Sequence, residues 1–220
     1  MIQAVIFDLD GVIVSTDECH YQAWRALAER EGIPFSRQDN ERLRGVSRME
    51  SLDIVLEKAD RAYTDHEKQS LAAYKNDLYV ALIESISAND LLPGAYNAVT
   101  KLRGMGIKTA IGSSSKNAPK ILERLGITEL FDAIADGNGI KRSKPDPDVF
   151  LLAADMLGVA PTQCLVVEDA EAGVEAALNA GMPCLGLGAA RRHPGAAISA
   201  DSLADFDLPA WVAAQNADEV

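Results

Sequence analysis

Short apolar runs, separated by stretches of helical spacing, recur along the chain and predict a buried parallel sheet. The strand-like runs are residues 4–7, 107–111, 133–135, 165–167 and 184–187. Between two of them apolar residues recur at intervals of three and four, as at Val149, Ala153 and Met156. Strands that alternate with helices favour an α/β fold whose sheet is covered on both faces. Toward the C-terminus we expect an edge strand and a short helix around Trp211.

The segment that follows the first strand has a different pattern, with helical spacing at Tyr21, Trp24 and Ala28 and no clear strand. A helical stretch of about 70 residues is too long for an ordinary crossover, so we expect it to be an insertion. The predicted fold is a Rossmann-like parallel-sheet core with an inserted all-helical cap domain. The expected bounds are residues 1–15 and 88–220 for the core, 16–87 for the cap, and 13–16 and 87–92 for the linkers.

The composition indicates a soluble globular protein without a nucleic-acid or membrane partner. The chain has 220 residues, of which 48% are hydrophobic, and no apolar stretch approaches the ~18 to 20 residues of a membrane helix. A net charge of −12 argues against binding to a phosphate backbone. The cysteines Cys19, Cys164 and Cys184 are widely spaced and are expected to be reduced thiols. We expect a cytoplasmic monomer that acts on a small molecule.

Chemically active side chains follow several of the predicted strands. Asp8 and Asp10 come directly after the first strand, and Glu168 and Asp169 follow the run 165–167. Because the carboxyl ends of parallel strands meet at one edge of a sheet, we expect these acids to lie together. Two further residues are expected at that edge, Ser113 in the turn after the second strand and Lys144 in the turn Ser-Lys-Pro-Asp-Pro.

The acidic residues predict a magnesium site that handles a phosphate. Asp8, Glu168 and Asp169, without histidine or thiolate, form an all-oxygen donor set that suits Mg²⁺, and the main-chain carbonyl of Asp10 is a further candidate. A carboxylate approaches a phosphate dianion only when the repulsion is offset. Lys144 at ~4 Å supplies only ~4 kcal/mol at an effective dielectric of 20, and a divalent ion supplies roughly twice that.

With the repulsion relieved, the first two acids are suited to different steps of phosphoryl transfer. Asp8 can attack phosphorus and form an aspartyl-phosphate. Asp10, two residues further on, can exchange protons with the attacking and leaving oxygens as a general acid and base. Ser113 opens a helix, where main-chain N–H groups favour an anion, and is the expected phosphate ligand.

Each motif by itself is also compatible with a purely structural role. Acidic residues after a strand are common turn formers or helix caps, and a serine cluster is usually a solvated turn. An EF-hand loop is excluded because Val12 stands where a third ligand is required and Gly11 comes one place early. The pair Gly186 and Gly188 lacks the third glycine of a dinucleotide-binding loop. The occurrence of all the motifs in order, at equivalent strand ends, favours a functional site.

The ordered motifs resemble the haloacid dehalogenase superfamily of phosphotransferases. They comprise Asp8 and Asp10 in DLDGV, Ser113, Lys144 in SKPDP, and Glu168 with Asp169 in VEDAEAG, and they span the whole predicted core. The resemblance implies that the first aspartate is the phosphorylated nucleophile, that the second is the acid and base, and that Mg²⁺ bridges the carboxylates.

The helical insertion is similar to that of the β-phosphoglucomutase family, on the segments STDECHYQAW, RGVSR, YKNDLYV and SSSKN. That resemblance covers nearly the whole chain and implies interconversion of β-glucose 1-phosphate and glucose 6-phosphate through the 1,6-bisphosphate. It implies that Arg48 holds the phosphate farther from Asp8 and that His20 and Lys75 orient Asp10 and the sugar. The implied substrate-binding set is Thr16, His20, Trp24, Gly45, Val46, Ser47, Arg48, Lys75, Asn76, Ser115, Lys116 and Asn117.

Two positions depart from the family pattern, and two residues of the insertion are also compatible with simpler roles. Ser15 stands where an acidic residue is common, and Arg44 stands where lysine is common, which changes hydrogen-bond geometry but keeps the charge. An enzyme that turns a bisphosphate around needs a second cationic site, and Arg48 suits a bidentate grip. The alternatives are a surface ion pair of Arg48 with a nearby acid such as Glu50 and a merely packed His20.

Three functions therefore stay open from the sequence. The first is a Mg²⁺-dependent phosphomutase, and the second is a sugar-phosphate phosphatase, because water and a sugar hydroxyl attack an aspartyl-phosphate by the same in-line geometry. The third is a catalytically silent protein that binds phosphosugars, which the complete set of carboxylates disfavours. The second phosphate site distinguishes the mutase from the phosphatase.

Overall fold

The computed structural model of the chain describes residues 1–217, so residues 218–220 of the predicted core domain lie outside the described residues. The strands are β1 (Ala4–Phe7), β2 (Lys108–Gly112), β3 (Ala133–Ala135), β4 (Cys164–Glu168), β5 (Cys184–Leu187) and β6 (Ile198–Ala200). The helices are α1 (Asp17–Glu31), α2 (Arg37–Glu41), α3 (Arg48–Leu56), α4 (Asp65–Ile83), α5 (Ala95–Gly104), α6 (Ala118–Leu125), α7 (Asp148–Leu157), α8 (Glu171–Asn179) and α9 (Leu208–Ala217). No helix within residues 1–217 combines the length and the apolarity that crossing a bilayer requires.

The strands form one sheet in the order β3-β2-β1-β4-β5-β6, and every neighbouring pair is parallel. All four residues of β1 and all five of β4 are buried, as their uncharged apolar runs predict. The predicted parallel sheet is confirmed: the five predicted strands lie within one residue of the observed bounds. The expected edge strand is β6, and the expected helix around Trp211 is α9.

Successive residues of β1 point to opposite faces of the sheet, and each face has its own packing partners. Val5 and Phe7 belong to an apolar cluster that includes residues of α5, α6 and α9, such as Leu122. Ala4 and Ile6 belong to a second cluster with residues of α7 and α8. Helices therefore cover both faces, and the carboxyl ends of the strands are left free to carry a site.

Residues 17–87 contain the four helices α1 to α4, and the structure assigns no strand among them. Most of their buried apolar residues form a third cluster around Trp24, Leu27 and Leu52, whereas Tyr79 and Ile83 belong to the cluster of Val5 and Phe7. Helices α3 and α4 begin with capping boxes at Ser47 and Thr64. In each box the hydroxyl accepts the main-chain N–H of the glutamate three residues later, and the carboxylate of that glutamate accepts the main-chain N–H of the capping residue. The separate cluster supports the proposed division into a core and a cap, whose bounds stay a prediction.

The two predicted linkers run side by side. Val14 forms isolated bridges with Asp10 and with Leu91, and the main-chain N–H of Leu92 donates to the carbonyl of Ile13 at 2.9 Å. Ile13 and Val14 are fully buried. The two linkers are therefore hydrogen-bonded to each other where the chain leaves the sheet and where it returns. Asp10 is joined to the first linker through its bridge with Val14.

Gly94, two residues after Leu92, offers a test of the close packing between this part of the chain and the main chain at Leu203 and Ala204. Its φ is +87°, and an added Cβ would lie 2.5 Å from the main-chain N of Ala204 and the main-chain O of Leu203. Gly158 has a similar φ of +65°, but no atom lies within 4 Å of an added Cβ. We expect Gly158→Ala to cost about 1 to 2 kcal/mol from its left-handed backbone alone. Gly94→Ala should cost at least ~1 kcal/mol more because of overpacking. Urea unfolding measures both losses, and equal losses would contradict the contact.

Candidate active site

The carboxyl ends of β1 and β4 bring the predicted acids together. Phe7 pairs with Val167 in the parallel register, so Asp8 and Glu168 are neighbours at the end of the sheet. Carboxylate oxygens of Asp8, Glu168 and Asp169 all lie within 4.8 Å of one another. The structure thus clusters at one edge three of the four acids that the strand pattern singled out.

Lys144 lies between two of these acids and is itself 3% exposed. Its Nζ donates to Asp8 Oδ1 at 2.6 Å and also to Glu168 Oε1. The ammonium lies 4.7 Å from the ring centroid of Phe150, whose negative face adds a favourable contact. Although burial opposes its charge, the carboxylates of Asp8 and Glu168 raise the pKa of Lys144 above its ordinary value. Lys144 is therefore a permanent cation at the centre of the acids.

Two glycines allow the acids to approach the backbone closely. Gly11 has φ +86°, and a Cβ at this position would collide with the carboxylate of Asp169. A Cβ at Gly173, in the first turn of α8, would collide with the carboxylate of Glu168. Glu168 Oε2 also accepts the main-chain N–H groups of Asp169 at 2.9 Å and Ala170 at 3.0 Å. These contacts fix the orientation of Glu168.

The acids carry more negative charge than the neighbouring cation balances. Burial raises the pKa of Asp169 to about 8, and the negative charges of Glu168 and Asp8 add to that effect. Burial likewise raises the pKa of Glu168 and of Asp10. A group of oxygen donors with a deficit of positive charge fits a hard divalent cation, and Asp8, Glu168 and Asp169 are the side chains that could hold it.

Asp10, predicted both as a metal ligand and as a catalyst, lies beside this group with its side chain engaged elsewhere. Oδ1 accepts the main-chain N–H of Thr16 at 2.6 Å, and Oδ2 accepts the Thr16 hydroxyl at 2.5 Å. His20 Nε2 lies 3.9 Å from Oδ2. The side chain of Asp10 is therefore not one of the clustered donors, and its contribution through the main-chain carbonyl stays a prediction.

His20 and Lys75 form a pair on the helical side of the site. Lys75 Nζ lies 2.8 Å from His20 Nδ1, and it also lies 4.6 Å from the ring centroid of Trp24. Burial, with a further contribution from Arg48, lowers the pKa of Lys75 to about 7. Burial and the charge of Lys75 hold the pKa of His20 well below its ordinary value, so His20 is neutral. When Lys75 is protonated its ammonium only donates, so Nδ1 accepts and the ring proton belongs on Nε2, the nitrogen nearer to Asp10.

The turn between β2 and α6 presents polar groups to the same space. Ser113 is buried, and its Oγ accepts the N–H of Ser115 at 3.2 Å, while the Oγ of Ser115 accepts the N–H of Asn117 at 3.2 Å. Asn117 Nδ2 donates to Asn76 Oδ1 on α4 at 3.0 Å, which ties the turn to the helical segment. Lys116 is exposed and is in no ion pair with any residue from 1 to 217.

A cavity of about 730 Å³ lies between the strand ends and the helical segment. Every predicted site residue lines it except Thr16, which lies behind Asp10. The lining predicted residues are Asp8, Asp10, His20, Trp24, Gly45, Val46, Ser47, Arg48, Lys75, Asn76, Ser113, Ser115, Lys116, Asn117, Lys144, Glu168 and Asp169.

Arg48 is a cation that the helical segment offers to this cavity without a counter-charge. The alternative of a surface ion pair is wrong, because Glu50 caps α3 through the N–H of Ser47 and Asp53 pairs with Lys68 at 2.7 Å. Arg48 is half-buried and lies within 4 Å of no carboxylate in residues 1–217. An unpaired guanidinium in a cavity wall is available to an anionic ligand.

The predicted set of site residues left out several that the structure brings to the site, although two of them, Tyr79 and Arg44, lie within the motif segments. Tyr79 and Ser51 line the cavity, each one helical turn beyond a predicted residue, Lys75 and Arg48 respectively. That spacing was a usable signal, because residues three and four apart share a helix face. Arg44 pairs with Asp17, and its Nε lies 3.4 Å from Glu41 while its Nη1 lies 4.0 Å from Asp169. Arg44, which stands where lysine is common in the family, thus extends its positive charge from the helical segment toward the acids.

Comparison with known proteins gives consistent relatives. The family model of the haloacid dehalogenase-like hydrolases matches residues 2–181. β-Phosphoglucomutase of Bacillus subtilis is 47% identical over 94% of this chain and 92% of its own length. A phosphorylated carbohydrates phosphatase of Thermotoga maritima is 32% identical over 82% of each chain. The crystal structure of a β-phosphoglucomutase from Clostridium difficile matches with a TM-score of 0.93 and 40% identity, covering 100% of this chain and 99% of that one.

The charge balance at Lys144 predicts a metal-dependent stability. Lys144→Met leaves Asp8 and Glu168 buried without a counter-charge, so in metal-free buffer it should lower the free energy of unfolding by about 3 kcal/mol. Added Mg²⁺ should restore more stability to the variant than to the wild type, because the variant's acids lack their cation. Lys120→Met, which removes an exposed ion pair with Glu84, serves as the control and should cost less than ~1 kcal/mol. Equal urea midpoints for wild type and Lys144→Met without metal would refute this role.

The lowered pKa of Lys75 predicts a specific pH dependence of stability. From about pH 7 to its ordinary pKa of 10.5, the unfolded chain binds a proton at Lys75 that the folded chain does not. The contribution of Lys75 to stability therefore rises with pH across that window, by up to about 1.4 kcal/mol per pH unit, and Lys75→Met should remove this rise. The raised pKa of Asp169 acts in the opposite sense up to about pH 8 in both proteins, so wild type and variant are compared at each pH. Lys68→Met, on the same helix but in an exposed pair, should leave the rise intact. Urea unfolding at pH 7, 8 and 9 tests this, and parallel curves for wild type and Lys75→Met would contradict it.

Proposed function

The chain belongs to the haloacid dehalogenase-like hydrolases, and we propose that within this family it is a Mg²⁺-dependent phosphomutase. Its reaction would interconvert β-D-glucose 1-phosphate and D-glucose 6-phosphate through an aspartyl-phosphate and β-glucose 1,6-bisphosphate. The observation that carries the proposal is the unpaired Arg48, which faces the cavity from the helical side while the nucleophile and Lys144 face it from the strand ends. A phosphatase of small monophosphates has no need of positive groups on two opposite sides of its cavity. The similarity to β-phosphoglucomutase of Bacillus subtilis supports the same conclusion.

The metal would be held by Asp8, Glu168 and Asp169, with the Asp10 carbonyl as the predicted further ligand. These oxygen donors and their deficit of positive charge fit Mg²⁺. When bound, the ion offsets the repulsion between the carboxylates and the substrate phosphate. Lys144 contributes a fixed positive charge at Asp8 and Glu168, which supports a role in binding the phosphoryl group that is transferred.

Asp8 is the proposed nucleophile. Lys144 holds Oδ1, and no group in residues 1–217 hydrogen-bonds Oδ2. In the first half-reaction a carboxylate oxygen of Asp8 bonds to phosphorus of the bisphosphate, the bond from phosphorus to the sugar oxygen breaks, and a sugar monophosphate leaves. In the second, a hydroxyl of the other sugar monophosphate attacks the aspartyl-phosphate, which regenerates the bisphosphate and the free carboxylate.

Asp10 is the proposed acid and base in both half-reactions. It gives a proton to the departing sugar oxygen and takes one from the attacking hydroxyl. The two hydrogen bonds from Thr16 orient its carboxylate, and the proposed role of His20 and Lys75 is to orient Asp10 and the sugar. Neutral His20 directs the Nε2–H edge of its ring toward this carboxylate without adding a positive charge.

The other end of the substrate would be bound on the helical side. Arg48 would grip the phosphate that is not being transferred, and the proposed helpers are Ser115, Lys116 and Asn117. Ser113, at the end of β2, is the proposed ligand of the transferred phosphate. The sugar itself would lie among the remaining predicted residues of the cavity wall, namely Trp24, Gly45, Val46, Ser47 and Asn76.

Exclusion of water decides between the mutase and the phosphatase. Water and a sugar hydroxyl attack an aspartyl-phosphate along the same line, so a mutase must retain the bisphosphate and keep water out. A helical cap joined to the core by the paired linkers can close over the cavity, which is the common means of excluding water. The relationship to the phosphatase of Thermotoga maritima keeps hydrolysis as the alternative outcome of the test.

A single assay separates these functions. The wild-type protein is mixed with β-glucose 1-phosphate, Mg²⁺ and a trace of the 1,6-bisphosphate, and both glucose 6-phosphate and free phosphate are measured. Glucose 6-phosphate should form much faster than free phosphate. Rapid phosphate release without the isomer would establish the phosphatase instead.

Arg48→Ala in the same assay tests the second phosphate site. Loss of a bidentate charged contact should lower kcat/KM for isomerisation about 100-fold, which corresponds to ~2.7 kcal/mol. Arg25→Ala removes an arginine whose partner is the exposed Glu29 on α1, and it should leave the rate unchanged. If Arg48→Ala matched Arg25→Ala, the second phosphate would have to be held elsewhere.

A further inference from the structure

Tyr79 is a buried residue of the site that the proposed mechanism has not used. It lies on α4 and is 1% exposed, so its hydroxyl requires a hydrogen-bond partner. The hydroxyl donates to Thr16 Oγ1 at 3.0 Å. Thr16 Oγ1 in turn donates to Asp10 Oδ2 at 2.5 Å. A short chain of hydrogen bonds therefore runs from α4 to the proposed acid and base.

The direction of this chain is fixed by the groups in it. Burial raises the pKa of Tyr79 above its ordinary value, so the phenol keeps its proton and remains a donor. The Thr16 hydroxyl has a single proton, and the ionised carboxylate of Asp10 can only accept. Because Thr16 accepts from Tyr79, its own proton is directed to Asp10. Without the phenol, the Thr16 hydroxyl would be free to rotate toward other acceptors.

The ring of Tyr79 contacts the His20 and Lys75 pair that faces Asp10. Its centroid lies 4.1 Å from that of His20 with an interplanar angle of 30°, and Lys75 Nζ lies 4.7 Å from the same centroid. Tyr79 thus packs against both members of the pair that faces Asp10. It also belongs to the apolar cluster of the sheet rather than to the cluster of the helical segment, together with Ile13 of the first linker.

We propose that Tyr79 is a positioning residue that aligns the Asp10 carboxylate through the Thr16 hydroxyl and through the ring of His20. The inference rests on the proposed phosphomutase function. Since Tyr79 lies on α4 whereas Asp10 lies at the end of β1, the alignment of Asp10 depends on α4 being seated against the linker. Asp10 is therefore fully oriented only when the helical segment is in its place.

The experiment removes the phenol oxygen alone. Tyr79→Phe keeps the ring against His20, so it should lower kcat for isomerisation about tenfold, the value of one hydrogen bond of ~1.4 kcal/mol, while KM changes less than twofold. Tyr74→Phe is the matched control on the same helix, because the Tyr74 hydroxyl has no hydrogen-bond partner in residues 1–217, and it should leave kcat unchanged. Thermal unfolding of both variants shows whether a loss of rate merely follows a loss of folded protein.

A double-mutant cycle tests the route through Thr16. If Tyr79 acts by directing the Thr16 hydroxyl, Tyr79→Phe should have less than a twofold effect when added to Thr16→Val. A full tenfold effect in the Thr16→Val background would overturn the proposal, as would an unchanged kcat in Tyr79→Phe or a loss that appears only in KM. Failure of the wild type to isomerise the sugar phosphate would instead refute the proposed function.

Discussion

The crowding of three carboxylates beside one buried ammonium is the constraint on which the site depends. Asp8, Glu168 and Asp169 meet because β1 and β4 are adjacent and parallel, and Asp10 follows two residues after Asp8. Lys144 balances part of this charge, while burial, with the negative charges of Glu168 and Asp8, raises the pKa of Asp169. A divalent cation fits such an arrangement, because it is attracted by the carboxylates and offsets their repulsion of a substrate phosphate.

The helical segment supplies the basic side chains on the far side of the cavity, opposite the acids of the strand ends. Arg48 offers a second positive group, and Lys75 and His20 offer a pair whose burial keeps the added charge small. The linkers that carry this segment pair with each other and with Asp10, so the position of the segment and the orientation of Asp10 are physically connected. Binding of the second phosphate and orientation of Asp10 can thus depend on the same position of the helical segment.

The strand ends could be predicted from the sequence because an apolar run that stops at acidic residues is typical of a buried strand whose carboxyl end reaches the edge of a sheet. Asp8 and Glu168 were found in this way, and the strand bounds were correct within one residue. The pairing of the linkers could not be predicted, since isolated bridges such as that of Val14 leave no pattern in the sequence. The helical spacing from Lys75 could have placed Tyr79 on the same face of the helix, but only the three-dimensional contact with Thr16 reveals its hydrogen bond.

The most direct measurement is to identify the residue that becomes phosphorylated. The protein is mixed with β-glucose 1,6-bisphosphate and Mg²⁺, quenched in acid within one turnover, digested and examined by mass spectrometry. The account predicts one phosphoryl group on the peptide that carries Asp8, in an acyl linkage that hydroxylamine cleaves. A phosphoryl group on another residue, or turnover to glucose 6-phosphate with no covalent phosphate at any time, would contradict it.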